Sequence, residues 1–218
     1  MSTDFWTPIK LSLEIALVAG VFVIIVGTLF GKFMAKREFK GKLFLETVLL
    51  LPLVLPPTVI GFLLIIIFGK HSVVGDLIVA IFDKPVMFTW WAAVIASSVV
   101  AFPLMYQSAK TGFASVDEDI ENAARVDGAK EWQVFLFISV PLALKSIISG
   151  GILSITRALG EFGATLMFAG NLPGRTQTTP LAIYMAIDSG NMSLAWSWVI
   201  SMIGISFIML LAVHIMKA

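Results

Sequence analysis

The sequence contains no cysteine, so disulfides and thiol chemistry are excluded. Its two histidines, His71 and His214, are too few and too far apart to suggest a metal site. Charge is scarce. Only 13% of the 218 residues are charged, against about 25% in a typical soluble domain, so a protein solvated on all sides is excluded. The net charge of +1 gives no sign of a nucleic-acid partner. No stretch reads His-Glu-x-x-His, Gly-x-Ser-x-Gly or Walker A. The chain therefore shows no catalytic constellation and no usual means of binding ATP. There is also no internal repeat, low-complexity tract or linker.

What is present is apolar: 58% of the residues are hydrophobic. A run of about 20 apolar residues crosses a bilayer core, and five runs qualify. The first covers roughly Ile9 to Phe30. The basic cluster Lys32, Lys36, Arg37, Lys40 and Lys42 follows it rather than precedes it, the reverse of a cleaved leader. The second, Leu43 to Phe68, is interrupted by Pro52, Pro56 and Pro57, which remove backbone donors and break the helix. The third, Val86 to Gln107, starts near Trp90 and Trp91, residues suited to the interface. The fourth runs from Pro141 to about Ala169 and the fifth from Ser193 to Met216. Between the last two, Thr178 and Pro180 open a helix over Leu181 to Ile187. It is too short to span, so a re-entrant or extracytoplasmic helix is expected.

The positive-inside bias sets the orientation. With Gly31–Lys42 inside, nine Lys or Arg fall on inside segments and four outside. That places the N-terminus outside and the C-terminus in the cytoplasm.

The polar segment between the third and fourth runs, about 108–141, is the most informative. Ser115 and Glu118 fit a capping box. Val116, Ile120 and Ala123–Ala124 recur at helical spacing. Asp127-Gly128 ends the helix, and a second short helix follows over about Lys130 to Phe137. The small face at Ala123 and Ala124 would let another protein approach closely. On these features alone, an ordinary cytoplasmic connector fits as well.

This segment resembles the "EAA" loop of bacterial ABC importer permeases: Glu-Ala-Ala, three residues, Gly, nine residues, Ile, any residue, Leu-Pro. The chain reads Asn122-Ala123-Ala124, then Gly128, then Ile138-Ser139-Val140-Pro141, with the same spacing. Asn122 and Val140 depart from the pattern. Glu121 adjoins Asn122 but points about 100° away on a helix, so it is not a simple substitute. Leu51-Pro52-Leu53-Val54-Leu55-Pro56-Pro57 is similar to the second helix of molybdate permeases. Ala158-Leu159-Gly160-Glu161-Phe162-Gly163-Ala164 resembles a stretch shared by molybdate and sulfate permeases, and residues 168–178 are nearer to the molybdate branch.

The resemblance implies an all-α integral membrane protein with about five transmembrane helices, forming one domain over residues 1–218. It implies that the loop carries a cytoplasmic coupling helix seated on a separate ATPase, with Ser115, Glu118, Glu121, Asn122, Ala123, Ala124, Arg125, Asp127, Gly128, Ile138 and Pro141 as coupling residues. It further implies import of a tetrahedral oxyanion, most simply molybdate, with tungstate and sulfate or thiosulfate as alternatives. The expected partners are two ATPase subunits, which hold ATP and Mg, a second copy of this chain, an extracytoplasmic oxyanion-binding protein and membrane lipid. The chain itself is expected to bind no cofactor or metal and to sit in a bacterial or archaeal cytoplasmic membrane. A membrane-embedded enzyme or assembly factor would need a polar cluster at one depth. A secondary transporter would need more spans and a repeat.

Charges within apolar runs are costly and often functional. Glu46 and Lys145 lie near the cytoplasmic ends, where snorkelling explains them. Arg157 and Glu161 share a helix face, as an internal pair or as part of a gate. Gly160, Phe162 and Gly163 join them as pathway candidates, because the glycines of the fourth run, Gly150 and Gly151 included, interrupt that helix and suit a pathway lining. Gly27 and Gly31 suit close packing within the subunit or across a dimer seam. Arg175 in its Gly/Pro/Thr loop could meet a binding protein, the anion or only solvent.

Overall fold

The computed structural model describes residues 5–70 and 72–217. His71 lies outside them, as do the side chains of His214 and Lys217. The described residues form helices and no strand.

Helix α1, Trp6–Lys36, is 31 residues long, or about 46 Å at 1.5 Å per residue. Its buried stripe includes Ala16, Ala19, Gly20, Val23, Gly27 and Gly31, while Leu17, Val21, Phe22, Ile25 and Leu29 are exposed. An apolar outer face on a helix this long suits contact with lipid. The helix continues past Phe30, so Lys32 and Lys36 are helical rather than loop residues. The second run is two helices, α2 (Lys42–Val54) and α3 (Pro57–Phe68), turned by 118° at Leu55–Pro56. Pro56 and Pro57 cause the break, and Pro57 opens α3 at a position where its missing N–H costs nothing.

The ten-residue helix α4, Val73–Phe82, was not expected from the sequence. Ser72 caps it, accepting from the Gly75 N–H at 2.8 Å. The third run forms α5, Trp90–Ala114. It starts four residues later than expected and runs seven residues past Gln107. The polar residues there are paired or packed: Gly112 abuts Ser146, and Lys110 pairs with Glu46 at 2.6 Å. Glu46 is thus a bridged carboxylate rather than a snorkelling one.

Beyond α5 come α6 (Glu118–Val126), α7 (Glu131–Val134), a π-helical turn over Phe135–Ser139, and α8 (Val140–Leu142). The fourth run is α9 (Leu144–Leu159) and α10 (Gly163–Phe168), with α11 (Thr179–Asp188) and α12 (Met192–Lys217) after it. Gly150 and Gly151 do not interrupt α9. They let it approach Ser108 of α5 and Ile24 of α1, and the break falls instead at Gly160–Phe162. Thr178 precedes α11 but gives it no side-chain cap. Ser12 of α1 does so, accepting from the Thr179 N–H at 2.7 Å.

Small-residue contacts fix the helix directions. Gly27 and Gly31 meet Met105 and Ala109 in the same order, so α1 and α5 are parallel. Gly150 meets Ser108 and Gly112 meets Ser146 in reverse order, so α9 is antiparallel to α5. Gly163 meets Pro57 and Thr58, and Gly61 meets Ala164 and Met167, so α3 runs alongside α10. Trp198 donates to the Phe5 carbonyl at 2.9 Å, and Met209 lies by Thr156, which makes α12 parallel to α1. The chain therefore passes one way in α1, α5 and α12 and returns through bent segments. Among the described residues three helices are long and apolar enough to cross a membrane, and up to five crossings result if each bent pair is one span.

Candidate functional site

At the end of the bundle where α1 finishes, α6 and α7 stand as a helix–turn–helix. The expected capping box does not form. Ser115 closes α5, its hydroxyl donating to the Gly112 carbonyl at 2.7 Å. Asp117 caps α6 two residues later, accepting from the Asp119 N–H at 2.9 Å. Glu118, Asp119 and Glu121 occupy the first turn and Arg125 the last, each favourable to the helix dipole. Gly128 has φ +92, the left-handed conformation that ends α6, and Asp127 precedes it.

Arg125 braces the turn. Its Nε donates to Glu131 at 2.7 Å and its Nη1 to Asn122 at 2.8 Å. The Glu131 contact raises the Arg125 pKa and lowers that of Glu131. The pair is exposed, so it orients the helices more than it stabilises them.

The two faces of this unit differ. Asn122, Ala123 and Arg125 are exposed, and Ala124 is half-buried. Beside them Val126 is 87% exposed, Phe137 67% and Trp132 56%. Exposed apolar side chains on a charged helix pair are suited to contact with another protein. Trp132 and Phe137 were missed in the sequence because they follow the motif's glycine and read as ordinary helix residues. Ile138 is half-buried and Pro141 exposed, near the start of the ascending segment.

Glu121 faces inward. It is 3% exposed and accepts from Lys32 at 2.5 Å, Ser139 at 2.5 Å and Lys36 at 3.2 Å. Burial alone would raise its pKa. Hydrogen bonds from Lys32 and Ser139, the Lys32 charge and the Lys36 contact outweigh burial and hold it at about 2. The i, i+4 spacing of Lys32 and Lys36 was the available signal for this cluster, but it read as a topology marker.

The pathway candidates gather at the α9–α10 break. Arg157 Nη1 donates to Glu161 at 2.8 Å, and Glu161 also accepts from the Ala164 N–H at 2.8 Å. The buried Glu161 is thus both ion-pair partner and cap of α10. Phe162 packs its ring against Tyr184, with centroids 5.6 Å apart. A Cβ on Gly163 would lie 3.0 Å from Pro57, whereas Gly160 is exposed. A second polar locus lies between α5 and α9, a groove lined by Gln107, Ser108, Thr111, Lys145, Ser146, Ser149 and Leu153. Lys145, Ser149 and Leu153 fall on one stripe of α9, and Gly160 follows at its C-terminal end. Arg175 is exposed in a loop held by Thr176, whose hydroxyl donates to the Gly170 carbonyl at 3.1 Å.

Residues 16–218 match the family described as binding-protein-dependent transport system inner membrane component. A protein of Bacillus subtilis (strain 168) named "Putative molybdenum transport system permease protein YvgM" is 65% identical over 209 residues, covering 96% of this chain and 92% of that one. The molybdenum transport system permease protein ModB of Escherichia coli (strain K12) is 41% identical over 184 residues, 84% of this chain and 80% of that one. The sulfate transport system permease protein CysW of Synechococcus elongatus is 29% identical over 211 residues, 95% and 73% of the two chains. Among solved structures, a bacterial alginate ABC transporter in complex with an alginate pentasaccharide-bound periplasmic protein matches with TM-score 0.77 at 18% identity, covering all of this chain and 79% of that one. The inward-facing MetNI methionine ABC transporter matches with TM-score 0.75 at 14% identity, covering 100% and 98%. The fold, the loop geometry and these likenesses agree: the chain belongs to the binding-protein-dependent transport system inner membrane components, multi-pass permeases of ABC transporters and not enzymes.

Proposed function

We propose that this chain is the permease subunit of an ATP-driven molybdate importer, working as a homodimer with two ATPase subunits on the cytoplasmic side and an oxyanion-binding protein outside. The observation that carries the substrate is the 65% identity to a protein named for molybdenum transport, against 29% to the sulfate permease. Tungstate shares the geometry of molybdate and is expected to share the route.

The whole chain forms one domain, with the N-terminus outside and α6 and the C-terminus in the cytoplasm. The face bearing Asn122, Ala123, Ala124, Arg125 and the exposed Val126, Trp132 and Phe137 docks into the ATPase, with Asp127 and Gly128 setting the turn. Ser115, Glu118, Ile138 and Pro141 frame the loop. ATP and Mg reside on the ATPase subunits. ATP binding draws the two ATPases together, the coupling helices move as rigid bodies, and the pathway opens outward. Hydrolysis returns it to the inward-facing state.

The pathway runs between the two copies along the α5–α9 side. Gln107, Thr111 and Lys145 are exposed there, and such groups are costly against lipid but suited to an aqueous anion route. Arg157, Gly160, Glu161, Phe162 and Gly163 form the narrower section above.

The test is reconstitution of the full transporter in liposomes with its binding protein. Molybdate should stimulate ATP hydrolysis and enter the vesicles, tungstate should compete, and a tenfold excess of sulfate should not. Sulfate uptake at the molybdate rate would overturn the substrate assignment. Molybdate uptake without ATP would overturn the mechanism.

A further inference from the structure

Three elements converge on the Glu121 carboxylate: the last turns of α1 through Lys32 and Lys36, the first turn of α6, and the π-helical turn through Ser139. Ser139 is fully buried, and the five-residue π turn aims its hydroxyl at the carboxylate. Lys36 also donates to the Val116 carbonyl at 2.8 Å, fastening the strand of chain that enters α6. The Lys32 ammonium lies 5.4 Å from the centre of the Phe113 ring. On the other side of the same helix, Asn122, Ala123 and Val126 face solvent. Helix α6 therefore has one face free for a partner and one fixed to α1.

We propose that this junction is the link through which movement of the coupling helix reaches the membrane bundle. Glu121 is a positioning residue that passes displacement of α6 to α1, and it is not part of the ATPase docking face. The proposal rests on the coupling-loop role given above. The chemistry suits the task. Apolar contacts resist separation but slide, since dispersion has little direction. A carboxylate held by two ammonium groups and a hydroxyl is directional, and charge-assisted hydrogen bonds are short and strong. Removing one partner leaves buried charge uncompensated, so the junction resists shear as well as separation. The helical backbone is interrupted on either side of α6, at Ser115–Asp117 before it and at Gly128 after it. The side-chain junction ties α6 to α1 across that break.

The experiment uses the complete transporter with its ATPase and binding protein. Glu121→Gln keeps the shape and removes the charge. It should copurify with the ATPase at wild-type stoichiometry and retain basal ATP hydrolysis. Stimulation by the loaded binding protein, and transport, should fall about tenfold. Glu121→Asp should recover part of the loss. Lys32→Gln combined with Glu121→Gln should be less impaired than the two single effects added. Loss of ATPase binding in Glu121→Gln would make Glu121 a docking residue and overturn the proposal, and so would wild-type transport. If Glu121→Gln does not fold, Ser139→Ala and Lys36→Gln weaken the same carboxylate at its edge. They must show the same bound but uncoupled behaviour, and full coupling in both refutes the link. Failure of the underlying loop role looks different: Gly128→Val would then leave the ATPase bound and fully coupled.

Discussion

Glu121 and Asn122 are adjacent in sequence and opposite in fate. One is buried among cations, and the other is exposed and held by Arg125. A second carboxylate, Glu161, carries two tasks at once, pairing with Arg157 and capping α10. This separates the expected effects of mutation. Arg157→Gln strands a buried carboxylate, at a cost near the lower end of about 3–5 kcal/mol because the arginine is partly exposed. Glu161→Gln keeps an acceptor for the Ala164 N–H and should be milder than Glu161→Ala. Exchanging the two charges restores the pair but not the cap, so recovery should be partial. Thermal unfolding of the purified chain, with uptake measured alongside, gives the cycle. A coupling energy of about 0.5–3 kcal/mol is expected, and strict additivity would mean that the two residues act separately.

At the scale of elements, the loop unit α6–α7 depends on its turn. Gly128 at φ +92 has open space around its missing Cβ, so the constraint there is conformational rather than steric crowding. Gly128→Val must adopt a backbone that β-branched residues strongly disfavour, and α7 should swing away from α6, taking Trp132 and Phe137 with it. Ala124→Trp blocks close approach directly. Both variants should insert and dimerise normally while losing the ATPase and transport, because neither Gly128 nor Ala124 takes part in the Glu121 contacts that tie the loop to α1 or in the α1–α5–α9 packing. Copurification and uptake assays check this. Much of the unit was legible from spacing: the Ala pair, the Asp127–Gly128 stop and the second helix all follow from local rules. What was not legible depends on distant partners. Ser115 fits a cap by spacing, but it closes α5, which extends because Lys110 finds Glu46 and Gly112 packs closely against Ser146. Likewise Thr178 reads as the cap of α11, yet Ser12 fulfils that role from 167 residues away. Polar residues that look like loop become helix when another element satisfies them. Gly150 and Gly151 look like breaks but serve close packing.

At the scale of the whole molecule, three one-way helices and two bent return segments predict which ends share a side. Lys40 follows α1, and Arg175 lies between α10 and α11. Single cysteines at these positions, in a chain with none of its own, should label from opposite faces of the membrane with an impermeant maleimide. Labelling of both from one face would break the alternation. The same architecture gives α1 an unusual mechanical standing. It is fastened near one end to α6 through Lys32 and Lys36 and near the other to α11 through Ser12. Between them Gly20 lies against Ile155 of α9. If α1 tilts as one body about that contact, it acts as a lever. Lys32 is about 18 Å from Gly20 along the axis and Ser12 about 12 Å on the other side. A sideways shift of about 3 Å at the Lys32 end would then reappear as about 2 Å, in the opposite sense, where α11 begins.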